Sequence, residues 1–122
     1  MLSDLKARVY LYGYTTHEKA RIARRFCELS IPDPVEIKPT QTDVVLEDVL
    51  IRGAEGGEVH GWDERLVLFA GTSDKGVQSL MQVIKGLDIP RPIFAVVTKY
   101  SIRWRFSELM DHLIAEKRSL SG

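Results

Sequence analysis

The chain contains a single cysteine, Cys27, which excludes an intrachain disulfide framework. It has no excess of either charge, since Lys and Arg total 17 and Asp and Glu total 17. That balance argues against a dedicated nucleic-acid binder, whose affinity draws on a positive excess, and leaves room only for a local patch. No uninterrupted apolar run approaches the ~20 residues of a membrane span. The first residues, MLSDLKARVYLYGY, carry Asp4 and lack an apolar h-region, so they do not read as a signal peptide. A soluble cytoplasmic protein with no membrane partner is the expectation. Histidine is scarce: His17, His60 and His112 stand far apart, with no helical i, i+4 pair. A zinc site needs four ligands, or three and a water, so neither a metal nor a cofactor is expected.

What remains is an ordinary globular composition of 122 residues, 44% hydrophobic and 28% charged. A chain of this size makes one domain and buries about two-thirds of its unfolded surface. Residues 9–14 (VYLYGY) are β-rich, and Thr15-Thr16 offers a helix cap. In 17–29 the residues Ile22, Ala23, Phe26 and Cys27 share half of a helical wheel. That face predicts a buried, inert thiol at Cys27. Pro32 and Pro34 end this helix, Val35–Lys38 is a short strand, and Thr42-Asp43 can cap a second helix over 44–51. The order then recurs. LVLFA (66–70) is a strand, Gly71-Thr72-Ser73 a turn and cap, and 74–87 an amphipathic helix. IFAVV (93–97) is continuously apolar, as a strand buried on both faces would be, and 107–118 makes a final helix.

The two halves align directly. LSIPDPVEIKPT from Leu29 and LDIPRPIFAVVT from Leu87 share five of twelve residues at an offset of 58. Chance gives about one match, so an internal repeat is indicated. RVYLYGYTT at Arg8 matches RLVLFAGTS at Arg65, and LEDVLI at Leu46 matches LMDHLI at Leu109 with an offset of 63. These offsets put five extra residues (63 − 58) around Tyr100–Phe106.

The expected fold is therefore α/β. Two tandem β-α-β-α repeats form one domain, 1–122, with a four-stranded, at least partly parallel sheet and pseudo-two-fold symmetry. Copy one spans 8–52 and copy two 65–118, joined by a Gly-rich linker, 53–64.

In the second half, Ala95, Thr98, Trp104, Leu109 and Leu113 form the pattern Ala-x-x-Thr, then Trp, then Leu-x-x-x-Leu. Over roughly residues 65–117 this resembles a family of short prokaryotic domains known only as a domain of unknown function. The resemblance implies the fold unit and a prokaryotic source. It implies no activity.

No catalytic motif stands out, so the sequence does not point to an enzyme. Gly71-Thr-Ser-Asp-Lys-Gly76 lies between a strand and a helix, but Val77 and Gln78 replace the Lys and Ser/Thr of a phosphate loop. Glu55, Glu58, Asp63 and Glu64 read as a solvated acidic loop without a rigid frame. Lys99, Tyr100, Arg103, Trp104, Arg105 and Phe106 interleave basic and aromatic residues, as surfaces that stack bases and neutralise phosphates do. The competing expectation puts Trp104 and Phe106 in the core and leaves the arginines solvated, with Trp62 exposed among glycines and charges. Two function classes follow. One is a non-enzymatic binding or protein-interaction module, with Lys99, Tyr100, Arg103, Trp104 and Arg105 as partner contacts. The other is a small-molecule or phosphate-binding domain using the C-terminal ends of the strands, at Thr15, Thr16, Thr40, Thr72, Ser73 and Thr98. Weak nucleic-acid binding through residues 99–106 is a minor third.

Overall fold

A computed structural model describes residues 5–121. Its elements run β1 (Arg8–Tyr12), α1 (Thr16–Glu28), β2 (Val35–Glu36), a 3₁₀ turn (Pro39–Gln41), α2 (Leu46–Arg52), β3 (Leu66–Ala70), α3 (Asp74–Lys85), β4 (Ile93–Val96), a second 3₁₀ turn (Ser101–Arg103) and α4 (Phe106–Ser121). The order β-α-β-3₁₀-α thus occurs twice. The chain divides into two compact units: Asp63–Val96 with the chain up to Glu36, and Ile37–Trp62 with Val97 onward.

The first unit is an α/β layer. Its four strands lie in the order β2-β1-β3-β4. The outer pairs are parallel, and the central pair is antiparallel, with Arg8 opposite Ala70 and Tyr12 opposite Leu66. The sheet is therefore mixed. Strand alternation puts Val9 and Leu11 of β1 beside Val67 and Phe69 of β3 on one face. Helical periodicity brings Ile22 and Phe26 of α1 and Val77 and Ile84 of α3 onto that face, where all eight are buried. The alternating residues Tyr10, Leu66, Leu68 and Ala70 are buried as well.

Two expectations are corrected here. The apolar run IFAV is an edge strand with Val96 43% exposed, whereas LVLFA is the strand buried on both faces. Its place decides this, because β3 is hydrogen-bonded on both sides and β4 on one. Cys27 is exposed, not buried. The buried stripe of α1 is only Ile22 and Phe26 wide, and Cys27 lies about 100° further round the helix.

α1 begins where Thr15 Oγ1 accepts from the Glu18 amide (3.2 Å) and Glu18 Oε1 accepts from the Thr15 amide (2.9 Å). It ends with Ser30 in the left-handed region, φ 58°, and the Ile31 amide donating to the Phe26 carbonyl at 2.8 Å. α3 begins on the Ser73 hydroxyl, which accepts from the Gly76 amide at 3.1 Å.

The second unit holds the two 3₁₀ turns, α2 and α4. Its seam is a reciprocal pair of backbone bonds. The Leu46 amide donates to the Trp104 carbonyl (2.7 Å), and the Phe106 amide donates to the Val44 carbonyl (3.0 Å). Val45 and Arg105 face each other across this antiparallel bridge. α2 and α4 consequently start 60 residues apart (106 − 46). Both Leu46 and Phe106 are fully buried. Thr42 and Asp43 do not cap α2, whose first turn begins at Val45 without a side-chain cap. They hold the 53–64 segment instead. Asp43 Oδ2 accepts from the Glu58 amide (3.1 Å), its Oδ1 meets His60 Nε2 (3.3 Å), and Thr42 Oγ1 accepts from the His60 amide (2.9 Å). The segment stays largely exposed, but it is pinned at Glu58 and His60.

Gly13 illustrates how tightly the end of β1 is set. Its φ is +84°, and a Cβ there would lie 2.5 Å from the Glu64 carbonyl oxygen. Gly13→Ala should destabilise the protein by more than about 1 kcal/mol. Gly61→Ala, with nothing within 4 Å of its Cβ position, should stay within about 0.5 kcal/mol of the parent. Urea midpoints of the two variants check this, and equal midpoints would contradict the assigned backbone.

Candidate functional site

The basic and aromatic residues after β4 are organised by Thr98. Its hydroxyl accepts from the amides of Ser101 (3.0 Å) and Tyr100 (3.3 Å), and its own amide donates to Ser101 Oγ at 3.0 Å. The Ile102 amide donates to the Thr98 carbonyl at 3.0 Å. Short-range bonds of this kind fix a turn without help from the rest of the chain. The turn buries Ser101 and Ile102 and points Lys99, Tyr100 and Arg103 outward, Tyr100 being 66% exposed. Lys99, Tyr100, Arg103 and Trp104 line an open concavity of about 510 Å³. The Trp104 indole is half-buried and stacks on the His112 ring of α4, centroids 4.4 Å apart and planes 18° from parallel. The Lys99 ammonium sits 5.2 Å from the Tyr100 ring centroid. Among the described residues, Lys99 and Arg103 form no ion pair.

Arg105 behaves differently from its neighbours. Its Nη1 donates to the Asp43 carbonyl at 2.9 Å and lies 3.3 Å from Asp43 Oδ1. It closes the seam of the second unit, while its side chain stays 55% exposed. The Asp43 carboxyl is held below its usual range, first by the Glu58 amide, then by the His60 hydrogen bond and the Arg105 charge.

The hydroxyl residues proposed at the strand ends do not converge. β1 and β3 are antiparallel, so Thr15 and Thr16 after β1 lie at the opposite end of the sheet from Thr72 and Ser73 after β3. Thr15 and Ser73 spend their oxygens on helix caps, Thr98 on its turn, Thr40 on the Glu55 carboxylate, and Thr72 on the Ala70 carbonyl at 3.0 Å. Thr16 is the exposed first residue of α1. Thr72 borders a cavity of about 120 Å³ beside Ile31, Pro32 and Leu80, below the roughly 300 Å³ at which metabolite sites begin. Both long helix starts of this unit also carry an acid, Glu18 or Asp74, where an anionic ligand would sit. Glu18 is further committed to Arg65, which donates from Nε (2.9 Å) and Nη2 (3.0 Å) and depresses the carboxyl. No group of three or more potential metal ligands occurs among the described residues.

Sequence reasoning missed the stacking of His112, an exposed residue of α4, on Trp104. Trp104 and His112 are eight residues apart, two helical turns, but Trp104 precedes the helix and ends the 3₁₀ turn. It also missed the anchoring of Trp62. That ring meets Phe106 edge-on at 6.0 Å and His60 at 6.1 Å, and Trp62 Nε1 donates to Asp111 Oδ1 at 3.2 Å.

Residues 65–120 match the model of a family described as Domain of unknown function (DUF3783). The match covers β3 through α4, including the Thr98 turn and Trp104. No curated protein and no solved structure matches the chain. No helix among the described residues is long and apolar enough to cross a membrane.

Two outcomes follow. Trp62→Ala should cost about 2 kcal/mol and Trp104→Ala about half that, the reverse of the expectation from their sequence contexts. Chemical denaturation decides, and a Trp104 variant that unfolds more readily would return that ring to the core. Asp43→Asn should lower the urea midpoint at pH 7. The Asp43 carboxyl is depressed in the folded state, so its contribution is complete above the unfolded value of about 3.9 and is lost as pH falls through the lower folded value. The gap between parent and variant should therefore close below that range, and a gap independent of pH would contradict the role given to the charge.

Proposed function

We propose that this protein is a non-catalytic binding module whose contact surface is the turn Lys99–Trp104 backed by His112. The observation that carries the reading is that Lys99, Tyr100, Arg103 and Trp104 border one concavity of about 510 Å³ while Thr98, Ser101 and Ile102 fix the turn beneath them. Residues that hold a fold are buried or paired. Here two cations without ion partners among the described residues and a largely exposed tyrosine sit on a locally rigid frame, an arrangement suited to recognition. The alternative, a phosphate or metabolite site at the strand ends, finds less support, because five of its six hydroxyls already serve the chain itself.

We also read the two halves as degenerate copies of one prokaryotic, cytoplasmic unit, a covalent pseudo-dimer. The caps Thr15 and Ser73 stand 58 apart, as do the starts of β1 and β3 and of β2 and β4. The reciprocal bonds between 44–46 and 104–106 support the same reading.

The test is a comparison of captured components from a cell extract on immobilised parent and on Tyr100→Ala/Arg103→Ala. The double variant should keep its thermal midpoint within about 2 °C, since truncations of exposed residues are close to neutral. It should lose the components that the parent retains. An unchanged captured set would refute the assignment of this surface.

A further inference from the structure

Resting on the reading of residues 99–104 as a contact surface, we propose that the surface receives an unpaired nucleobase together with its 5′-phosphate. The base stacks on Trp104 and Tyr100, and Lys99 and Arg103 take the phosphate. The chemistry of the lining carries this. Two aromatic rings and two cations that form no ion pair among the described residues border one concavity. Such pairing of π-faces with positive charge suits a ligand that has a flat apolar ring and an anionic group a few ångströms away. An acidic peptide would satisfy the cations and leave the indole and phenol uncovered. A purely apolar ligand would leave Lys99 and Arg103 without counter-charge.

Size points the same way. About 510 Å³ is within the range of small-ligand sites. A volume of that order matches one nucleotide unit. The zero net charge of the chain agrees with a ligand held at one or two phosphates and disagrees with an extended electrostatic footprint. His112 supports the platform from below, since its ring covers one face of the indole at 4.4 Å and fixes the plane on which a base would lie. The shared chemistry occurs both in free nucleotides and in single-stranded nucleic acid, and the experiment separates these sources.

The ¹⁵N-labelled full chain is titrated at low salt with adenosine 5′-monophosphate, ribose 5-phosphate, the single-stranded oligonucleotide dT10 and an oligo-glutamate peptide. Amide and indole resonances report the site. The monophosphate or dT10 should shift the amides of 99–104 and the Trp104 indole N–H, and ribose 5-phosphate should bind at least about fivefold more weakly, for want of a stacking ring. Lys99→Ala/Arg103→Ala should weaken the complex about tenfold, and Trp104→Ala at least about fivefold. If dT10 binds ten times or more tighter than the monophosphate, the source is a strand, and the logarithm of its affinity should fall with log salt at a slope of about −1.4 for two phosphate contacts. Comparable affinities indicate the free nucleotide. Shifts at 99–104 with oligo-glutamate alone would overturn the nucleotide inference and leave the contact surface standing. Absence of shifts with both the monophosphate and dT10 overturns the inference outright. Shifts that persist undiminished in Trp104→Ala overturn the stacking geometry.

Discussion

The antiparallel pairing of β1 with β3 is the constraint on which the first unit depends. It places the two most buried strands at the centre, each hydrogen-bonded on both sides. It also sets the direction of everything attached to them. Each parallel partner, β2 or β4, is added outside by a helical crossover, so α1 and α3 meet the same core face of Val9, Leu11, Val67 and Phe69. A sheet whose central pair runs in opposite directions has no single edge at which all strands end. The crevice that parallel α/β sheets offer at their carboxyl ends is therefore divided in two. Each of the two ends then falls under local control: Thr15 and Glu18 close one, Thr72 and Ser73 the other.

In the second unit the corresponding constraint is a pair of backbone hydrogen bonds between 44–46 and 104–106. They are few, but they fix what surrounds them. They align the starts of α2 and α4, bury Leu46 and Phe106, and bring Arg105 onto Asp43. Asp43 in turn holds Glu58 and His60, and Trp62 then packs on Phe106. A Gly-rich segment with four nearby acids looks in sequence like a solvated linker. It is ordered here because one side-chain carboxylate accepts several donors at once, which composition cannot register.

That contrast explains what was legible. Hydrophobic periodicity located the strands and helices, because burial demands a period of 2 or 3.6 wherever a face meets a core. It gave β1, α1, β3 and α3 close to their limits. It misplaced burial where rank in the sheet mattered more than apolarity, as with IFAV at an edge and LVLFA at the centre. It overread α1, because Cys27 is apolar enough to extend a stripe that packing cuts off at Phe26. It left open whether Trp104 is core or surface, since a tryptophan before an amphipathic helix is compatible with both. The contact that settles its neighbourhood, the ring of His112, depends on a 3₁₀ turn of three residues, below the length at which periodicity carries information.

The same turn shows why a candidate site is found here and not at the strand ends. A hydroxyl next to a helix or strand terminus has amides and carbonyls within reach, and the chain uses it to satisfy them. Thr15, Ser73 and Thr98 all go this way, each accepting from a nearby backbone amide. Long cationic and aromatic side chains on a tight turn follow the opposite rule. Thr98 and Ser101 satisfy the backbone beneath them, Ile102 supplies the buried contact, and these hydrogen bonds use no side chain of Lys99, Tyr100 or Arg103. In the proposed reading, side chains that the fold does not consume are the ones left for a ligand. In this protein they stand together around Trp104, where a ring already stacked on one face can accept another on what remains exposed.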